Sequence, residues 1–328
     1  ECFLFLGDLQ MHKVEFDEHK EIYAELKNQF MDFNNSYDPE APPYPKKGEE
    51  LQEYDDEAKK IWIRDNGLEL LYRIQAKQIE KLKNNDIKTV EELKNTNLEK
   101  IDGMGEATFI KYKKLAQLLN DSTENKISYE IKDASLNGLL KPKKGDLYID
   151  FEGYPFLTIG RNFEYLYGIW SNDKNDSFTY YWSDDEEEEK NSFVSFIEKL
   201  LEHLELYPDA KFYHYFSYEI TSLRSSAQNF GVYEKELEQL IEKKCFIDLF
   251  TIVNSSLLIG ASSYSLKTVE KLAGINRTED LQSGMESLQY FEDYFFNEEY
   301  ELKDLIIEYN KADCKNLYLL HDWLASLL

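Results

Sequence analysis

Gly145 to Pro155 reads GDLYIDFEGYP. Apolar and polar residues alternate along it, the period of a strand buried on one face. Leu147, Ile149 and Phe151 are predicted to point one way, and Tyr148, Asp150 and Glu152 the other. An Asp-x-Glu pair therefore shares a face at the end of an apolar run, just before a Gly-Tyr-Pro turn. Two carboxylates held that close repel each other, and a divalent cation between them relieves the repulsion. The alternative is an edge strand carrying two solvated acids, and a three-residue motif alone does not decide between them.

The order of elements that follow carries more weight. Glu164–Trp170 (EYLYGIW) and Ser177–Trp182 (SFTYYW) read as aromatic-rich strands. A helix is predicted from about Glu186, where Phe193, Phe196, Ile197, Leu200, Leu201 and Leu204 keep a helical period. Lys211–Phe216 (KFYHYF) is predicted to be a strand, with a helix starting near Tyr218. Beyond it lie a further strand-like piece, Phe246–Val253 (FIDLFTIV), a helix near Ser265–Leu272, and a long helix from about Leu302 to Leu327. Three strands, a helix, a strand and a helix resemble the α/β RNase H-like fold, a mixed sheet flanked by helices. In that fold the first three strands are antiparallel and the fourth runs parallel to the first.

In the last helix Tyr309 and Asp313 are four residues apart and share a face. Asp-x-Glu on a first strand and Tyr-x-x-x-Asp on a late helix resemble the DEDD superfamily of 3′–5′ exonucleases, in its tyrosine-containing subgroup. The family's middle aspartate follows the fourth strand; here the segment is HYFSYE and Glu219 takes that place. A narrower resemblance is to RecB-family nucleases with a C-terminal RNase H-like domain. The shared order is D-F-E-G, H-Y-x-x-Y-E, an apolar-Asp-Leu segment (FIDLF), Tyr264-Ser265-Leu266-Lys267, and Y-N-x-x-D-C.

These resemblances imply phosphodiester hydrolysis with two Mg²⁺ or Mn²⁺ ions roughly 4 Å apart. Asp150, Glu152, Glu219 and Asp313 would be the ligands, with Asp248 in reserve as either ligand or loop anchor. Tyr309 would position the attacking water, since a phenol with an ordinary pKa of about 10 is a poor base. His214 and Lys267 are candidate substrate contacts, with a structural role and helix capping as their alternatives, and Tyr154 and Phe156 are candidate stacking partners for a terminal base; core packing is the alternative for both rings. The positions that hold iron–sulfur cysteines in the resembled family are Glu49, Gln52 and Ala58 here, so no cluster is expected. A competing class is a catalytically inactive module that binds nucleic acid or a helicase.

Upstream, Phe3–Leu6 reads as a strand, Gly7-Asp8 as a turn and Phe16–Phe33 as a helix. Residues 34–48 hold four of the chain's seven prolines and read as loop. The resemblance makes 1–48 the remnant of an upstream RecB-like nuclease domain with its linker. Residues 49–120 form a helical region, with Trp62, Leu70, Leu71, Ile74 and Ile79 as its expected buried positions. Within it Ile101-Asp102-Gly103-Met104-Gly105 precedes a helix from Glu106, and this resembles a helix-hairpin-helix. There Gly103 and Gly105 would let the backbone approach a phosphate; a tight interhelical turn is the alternative. Residues 121–144 read as a linker, and 145–328 as the exonuclease domain.

Composition bounds this reading. The 328 residues are 42% hydrophobic, and the net charge is −26, unfavourable for a simple nucleic-acid binder. The acidic run Ser183–Glu189 (SDDEEEE) fits a solvated loop and helix start. Lys111, Lys113 and Lys114 offer one local basic surface. Three cysteines without metal-like spacing and no apolar run of membrane-spanning length point to a cytoplasmic protein. The expected partners are nucleic acid, DNA rather than RNA, and a helicase domain or protein, with no membrane.

Overall fold

The computed structural model describes all residues except 1, 6–10, 15, 40–41, 50, 52–53, 124–125, 133–138, 140, 159, 173–176, 278–283 and 328. The expected turn at Gly7-Asp8 and the Gln52 position lie outside the described residues. The chain divides into two compact units, Glu1–Ala58 and Lys59–Leu328.

In the first unit β1 (Cys2–Phe5) and β2 (Met11–Val14) form an antiparallel hairpin, followed by the helix α1 (Phe16–Ser36). The second hairpin strand had no sequence signal strong enough to be read. Ile22, Leu26 and Phe30 of α1 are exposed.

Next comes α2 (Asp55–Arg64), and then α3 (Ala76–Lys83), α4 (Val90–Asn95) and α5 (Glu106–Asn120). Leu71, Ile74, Ile79, Leu82, Val90, Leu93, Ile101 and Phe109 pack into one core. Thr89 caps α4 through a reciprocal pair with Glu92, which satisfies two orphan backbone donors. Gly103 is in the left-handed region, φ +76°, where a glycine costs least. The basic residues on α5 are engaged: Lys114 pairs with Glu130, Lys113 donates to the Thr96 carbonyl, and Lys111 Nζ lies 5.8 Å from the centre of the Tyr112 ring.

The stretch 121–144 is more than a linker. It carries β3 (Tyr129–Ile131), which pairs antiparallel with a late strand, β9 (Leu257–Ile259), at Tyr129↔Ile259. The C-terminal domain then begins with β4 (Leu147–Tyr154), β5 (Phe163–Ser171), β6 (Ser177–Trp182), α6 (Glu186–Leu206), β7 (Phe212–His214), α7 (Tyr218–Phe230), α8 (Glu234–Glu242) and β8 (Phe246–Asp248). The remainder is α9 (Leu249–Ser256), β9 (Leu257–Ile259), α10 (Leu266–Glu270), α11 (Gly284–Asn297) and α12 (Leu302–Ser326).

The main sheet has the order β6-β5-β4-β7-β8. β4 is antiparallel to β5 and β5 to β6, while β7 runs parallel to both β4 and β8. The alternation in β4 sorts its side chains as expected. Leu147, Ile149 and Phe151 pack with Phe193, Phe196, Ile197 and Leu200 of α6 and Leu223 of α7. Tyr148 packs on the opposite face, with Leu317, Leu320 and Leu324 of α12. This is the RNase H-like mixed α/β architecture.

Two strands are shorter than their sequences imply. β7 stops at His214 because Phe216 turns to φ +70°, outside extended geometry. β8 stops at Asp248, whose side chain caps the Phe250 N–H and starts α9. Helix α5 meets β9 at Gly260, where a Cβ would lie 2.2 Å from the Leu118 carbonyl oxygen; only glycine fits that approach.

Candidate metal centre

Asp150 and Glu152 project from the α12 side of β4. Asp150 pairs across the sheet with Gly168 on β5. A Cβ at Gly168 would come within 1.8 Å of Asn310 Oδ1, so the glycine makes room for the Asn310 amide. Asn310 Nδ2 donates to the Asp150 carbonyl at 3.1 Å and to its Oδ2 at 2.8 Å. Glu152 Oε2 accepts from Ser287 Oγ of α11 at 2.9 Å and from the Tyr165 hydroxyl of β5 at 3.4 Å. One turn past Asn310 on α12, Asp313 completes the set. Asp150, Glu152 and Asp313 each offer an oxygen, and these lie within 4.8 Å of one another.

Every acid here holds its proton more tightly than usual. Asp150 is pushed well up, by desolvation first and then by Asp313, Glu152 and Glu219, with Arg277 opposing. Glu152 is pushed up to about 8, by desolvation and then Asp313, against the hydrogen bonds from Ser287 and Tyr165. Asp313 is raised by desolvation, with Arg277 the largest opposing influence. The side chains around the cluster therefore under-neutralise it. All-oxygen donors of this charge and closeness fit a hard divalent cation.

Two cations border the cluster. Arg277 grips Glu270 with Nε to Oε2 at 2.8 Å and Nη2 to Oε1 at 2.7 Å, and its Nη2 also pairs with Asp313 Oδ1. Asn316 Nδ2 steadies Glu270 at 3.1 Å. Arg277 Nη1 is buried and has no hydrogen-bond partner among the described residues. Lys267 Nζ lies 4.8 Å from the centre of the Tyr309 ring, and Arg277 Cζ 5.7 Å from it. Tyr309 is buried, and desolvation with Asp313, Glu152 and Asp150 keeps its phenol protonated. Sequence reading missed Arg277, Glu270 and Ser287, since none falls in a recognisable spacing. Asn310 was in view inside Y-N-x-x-D-C, without a role.

The other candidates fall differently. Glu219 is buried at the start of α7, and its charge is felt at Asp150, but it is not one of the three oxygens within 4.8 Å. Its Oε2 lies 3.3 Å from His214 Nδ1, too poorly aligned for a hydrogen bond. Glu219 is itself raised, by desolvation above all. Asp248 is a loop anchor: Oδ1 accepts from the Phe216 N–H at 3.0 Å and the Phe250 N–H at 2.9 Å, and Oδ2 accepts from Thr251 Oγ1 at 2.6 Å. His214 is buried on β7. Tyr154 corrects an expectation, because its ring is buried against Phe291 and its hydroxyl donates to Glu292 at 2.5 Å. That ring has no free face for a base; the neighbouring Phe156 is exposed. Gly103 and Gly105 lie in the turn before α5, with Gly105 as its N-cap.

A mixed five-stranded sheet that gathers acids from its first strand and last helix defines a nucleic-acid hydrolase class of fold. Residues 147–325 match the RNase_H_2 family, of the RNase_H superfamily. That span is more than half of the chain, and the chain belongs to this superfamily. Neither a curated protein nor a solved structure matches it. Among the described residues no helix is long and apolar enough to cross a membrane.

Proposed function

We propose that the protein is a metal-dependent nuclease of the DEDD type, a 3′–5′ exonuclease acting on single-stranded DNA. The observation that carries this reading is the meeting of Asp150, Glu152 and Asp313 within 4.8 Å, with all three raised chiefly by desolvation and Asp150 and Glu152 raised further by Asp313. These three residues would hold Mg²⁺ or Mn²⁺, with Glu219 at the margin of a second position. Bound there, the ions would supply positive charge to stabilise a phosphodiester undergoing hydrolysis.

The chain's own residues do the rest. Asn310 fixes the Asp150 carboxylate from both its oxygen and its backbone. Ser287 and Tyr165 fix Glu152. Tyr309, kept as a neutral phenol, orients the attacking water through its hydroxyl. Lys267, over the Tyr309 ring, offers a positive N–H group to phosphate oxygens. Gly103 and Gly105 would hold a more distant phosphate at the start of α5, and a helicase domain or protein is the partner that would present a single strand.

A second reading has its own support. Arg277 already pairs with Asp313, as a built-in cation would in a domain that binds nucleic acid without cutting it. One experiment separates the two. End-labelled single-stranded DNA and RNA are incubated with the protein in Mg²⁺ or Mn²⁺, beside Asp150→Ala. Metal-dependent shortening from the 3′ end, lost in the variant, supports the nuclease; binding without cleavage supports the module.

A further inference from the structure

Phe216 follows β7, at the same end of the parallel strands as the carboxylates and one helical turn before Glu219. Its backbone is left-handed, φ +70°, a conformation that a bulky residue adopts only when its surroundings impose it. Asp248 imposes it by accepting the Phe216 N–H at 3.0 Å and the Phe250 N–H at 2.9 Å from one oxygen. The result is a pair of rings, Phe216 on Phe250, with centroids 3.9 Å apart. The strain does not serve burial, because Phe216 is 40% exposed.

A second strained residue meets this pair from the helical region. Arg73 has φ +55°, and its exposed guanidinium lies 5.5 Å from the Phe250 ring centre and 5.3 Å from that of Tyr72. The Tyr112 hydroxyl donates to the Arg73 carbonyl at 3.3 Å. Tyr72 stacks on Tyr264, 3.6 Å between centroids and 6° between planes. Tyr264 is in turn tied to the residue that follows β7, its carbonyl accepting from the Tyr215 hydroxyl at 2.7 Å. Two residues in unfavourable backbone conformations, one from each region, thus converge over one ring.

We infer that Phe216, Phe250 and Arg73 form a stacking subsite for an unpaired nucleobase, with Arg73 also meeting the adjoining phosphate. This rests on the nucleic-acid reading above and adds where an unpaired strand is gripped. An open aromatic face beside a guanidinium matches the stacked bases and anionic backbone of a single strand. On a chain of net charge −26, a fixed cation at this edge also marks where phosphate is tolerated.

The test measures affinity for a fluorescent oligothymidine in EDTA, so that cleavage plays no part. Phe216→Gly removes the ring and suits the left-handed backbone, so it is expected to fold at least as well as the wild type, checked by its melting temperature. It should lose roughly tenfold in affinity, the scale of one stacked base, and Phe216→Trp should restore it. Arg73→Gln should weaken binding and flatten its salt dependence. Unchanged affinity in Phe216→Gly, or a wild type that does not bind the oligonucleotide, overturns the subsite. A wild type that binds through Phe216 but never cleaves in Mn²⁺ leaves the subsite standing and sinks the nuclease reading.

Discussion

Two clusters of acids lie beside the same pair of strands, the first with Asp150 and Glu152 half-buried and Asp313 buried, the second with Glu164 and Glu189 buried, and they are neutralised differently. In the first, Asp150, Glu152 and Asp313 come from β4 and α12; Arg277 pairs with Asp313, and Lys267 lies at the border over the Tyr309 ring. In the second, Glu164 and Glu189 are answered by local groups. Arg161 Nη1 donates to Glu189 Oε1 at 2.5 Å, and the Glu164 N–H donates to the same oxygen at 2.9 Å. The Tyr218 hydroxyl donates to Glu164 at 2.9 Å and is held by Asn162 at 3.0 Å. Gly153, at the bulge in β4, leaves the space that Tyr218 occupies. A cluster of acids is therefore not itself a functional signal. What separates the two is convergence: three carboxylate oxygens meet within 4.8 Å of one another in the first, whereas in the second Arg161 pairs with Glu189 and Tyr218 with Glu164.

The sharpest break between them should be in activity. Asp150→Ala or Asp313→Asn is expected to reduce metal-dependent cleavage by on the order of 10³- to 10⁴-fold, the several kcal/mol a bound ion supplies. Glu164→Gln should stay within about tenfold of the wild type, because it removes no ion ligand. Initial rates on end-labelled oligonucleotide measure both.

Stability should run the other way. Arg161→Ala leaves Glu189 buried without its partner and should cost about 3–5 kcal/mol. Asp150→Asn removes a repelling charge and should leave metal-free stability unchanged or raise it by about 1–2 kcal/mol. Urea unfolding in EDTA compares them directly.

The pH dependence sharpens the contrast. Glu152 is raised to about 8, from about 4.3 in an unfolded chain. Between those values the folded chain binds more protons than the unfolded one, so this group's contribution falls as pH rises. Metal-free wild type should lose stability relative to Glu152→Gln across that window, on the order of a few kcal/mol in all. Glu164 is raised to about 7, chiefly by desolvation, so a comparison with Glu164→Gln should show a similar loss ending near neutrality. Saturating Mn²⁺ should abolish the first trend and leave the second.

A further effect is expected at Gly168. Alanine there would crowd Asn310 and should cost about 1–3 kcal/mol, while weakening Mn²⁺ binding by loosening Asp150. Thermal melts with and without Mn²⁺ read both consequences.

The fold was legible where period and order coincide. The alternation of β4, the aromatic strands β5 and β6, and the clean helical period of α6 each declare their partner face before any contact is known. The meeting of Asp150 with Asp313 was legible only through motif order, because no local pattern links positions so far apart in the chain. Arg277 and Glu270 were not legible at all. Their pairing depends on the short helix α10 and the turn after it, and a charged residue in such a segment reads as solvated surface. The strand β3 was hidden for a related reason: three residues in a polar stretch become a strand only because β9 is there to pair with them. Tyr154 misled because its position beside the first motif suggests exposure, whereas α11 covers it with Phe291.

Calorimetric titration of Mn²⁺ into the protein, with Asp150→Asn, Asp313→Asn and Glu164→Gln alongside, tests the central claim most directly. Saturable binding in the wild type and Glu164→Gln, weakened by about 10- to 100-fold or lost in the other two, is the predicted result. Equal binding by all four proteins, or none by the wild type, would contradict a metal centre shared between β4 and α12.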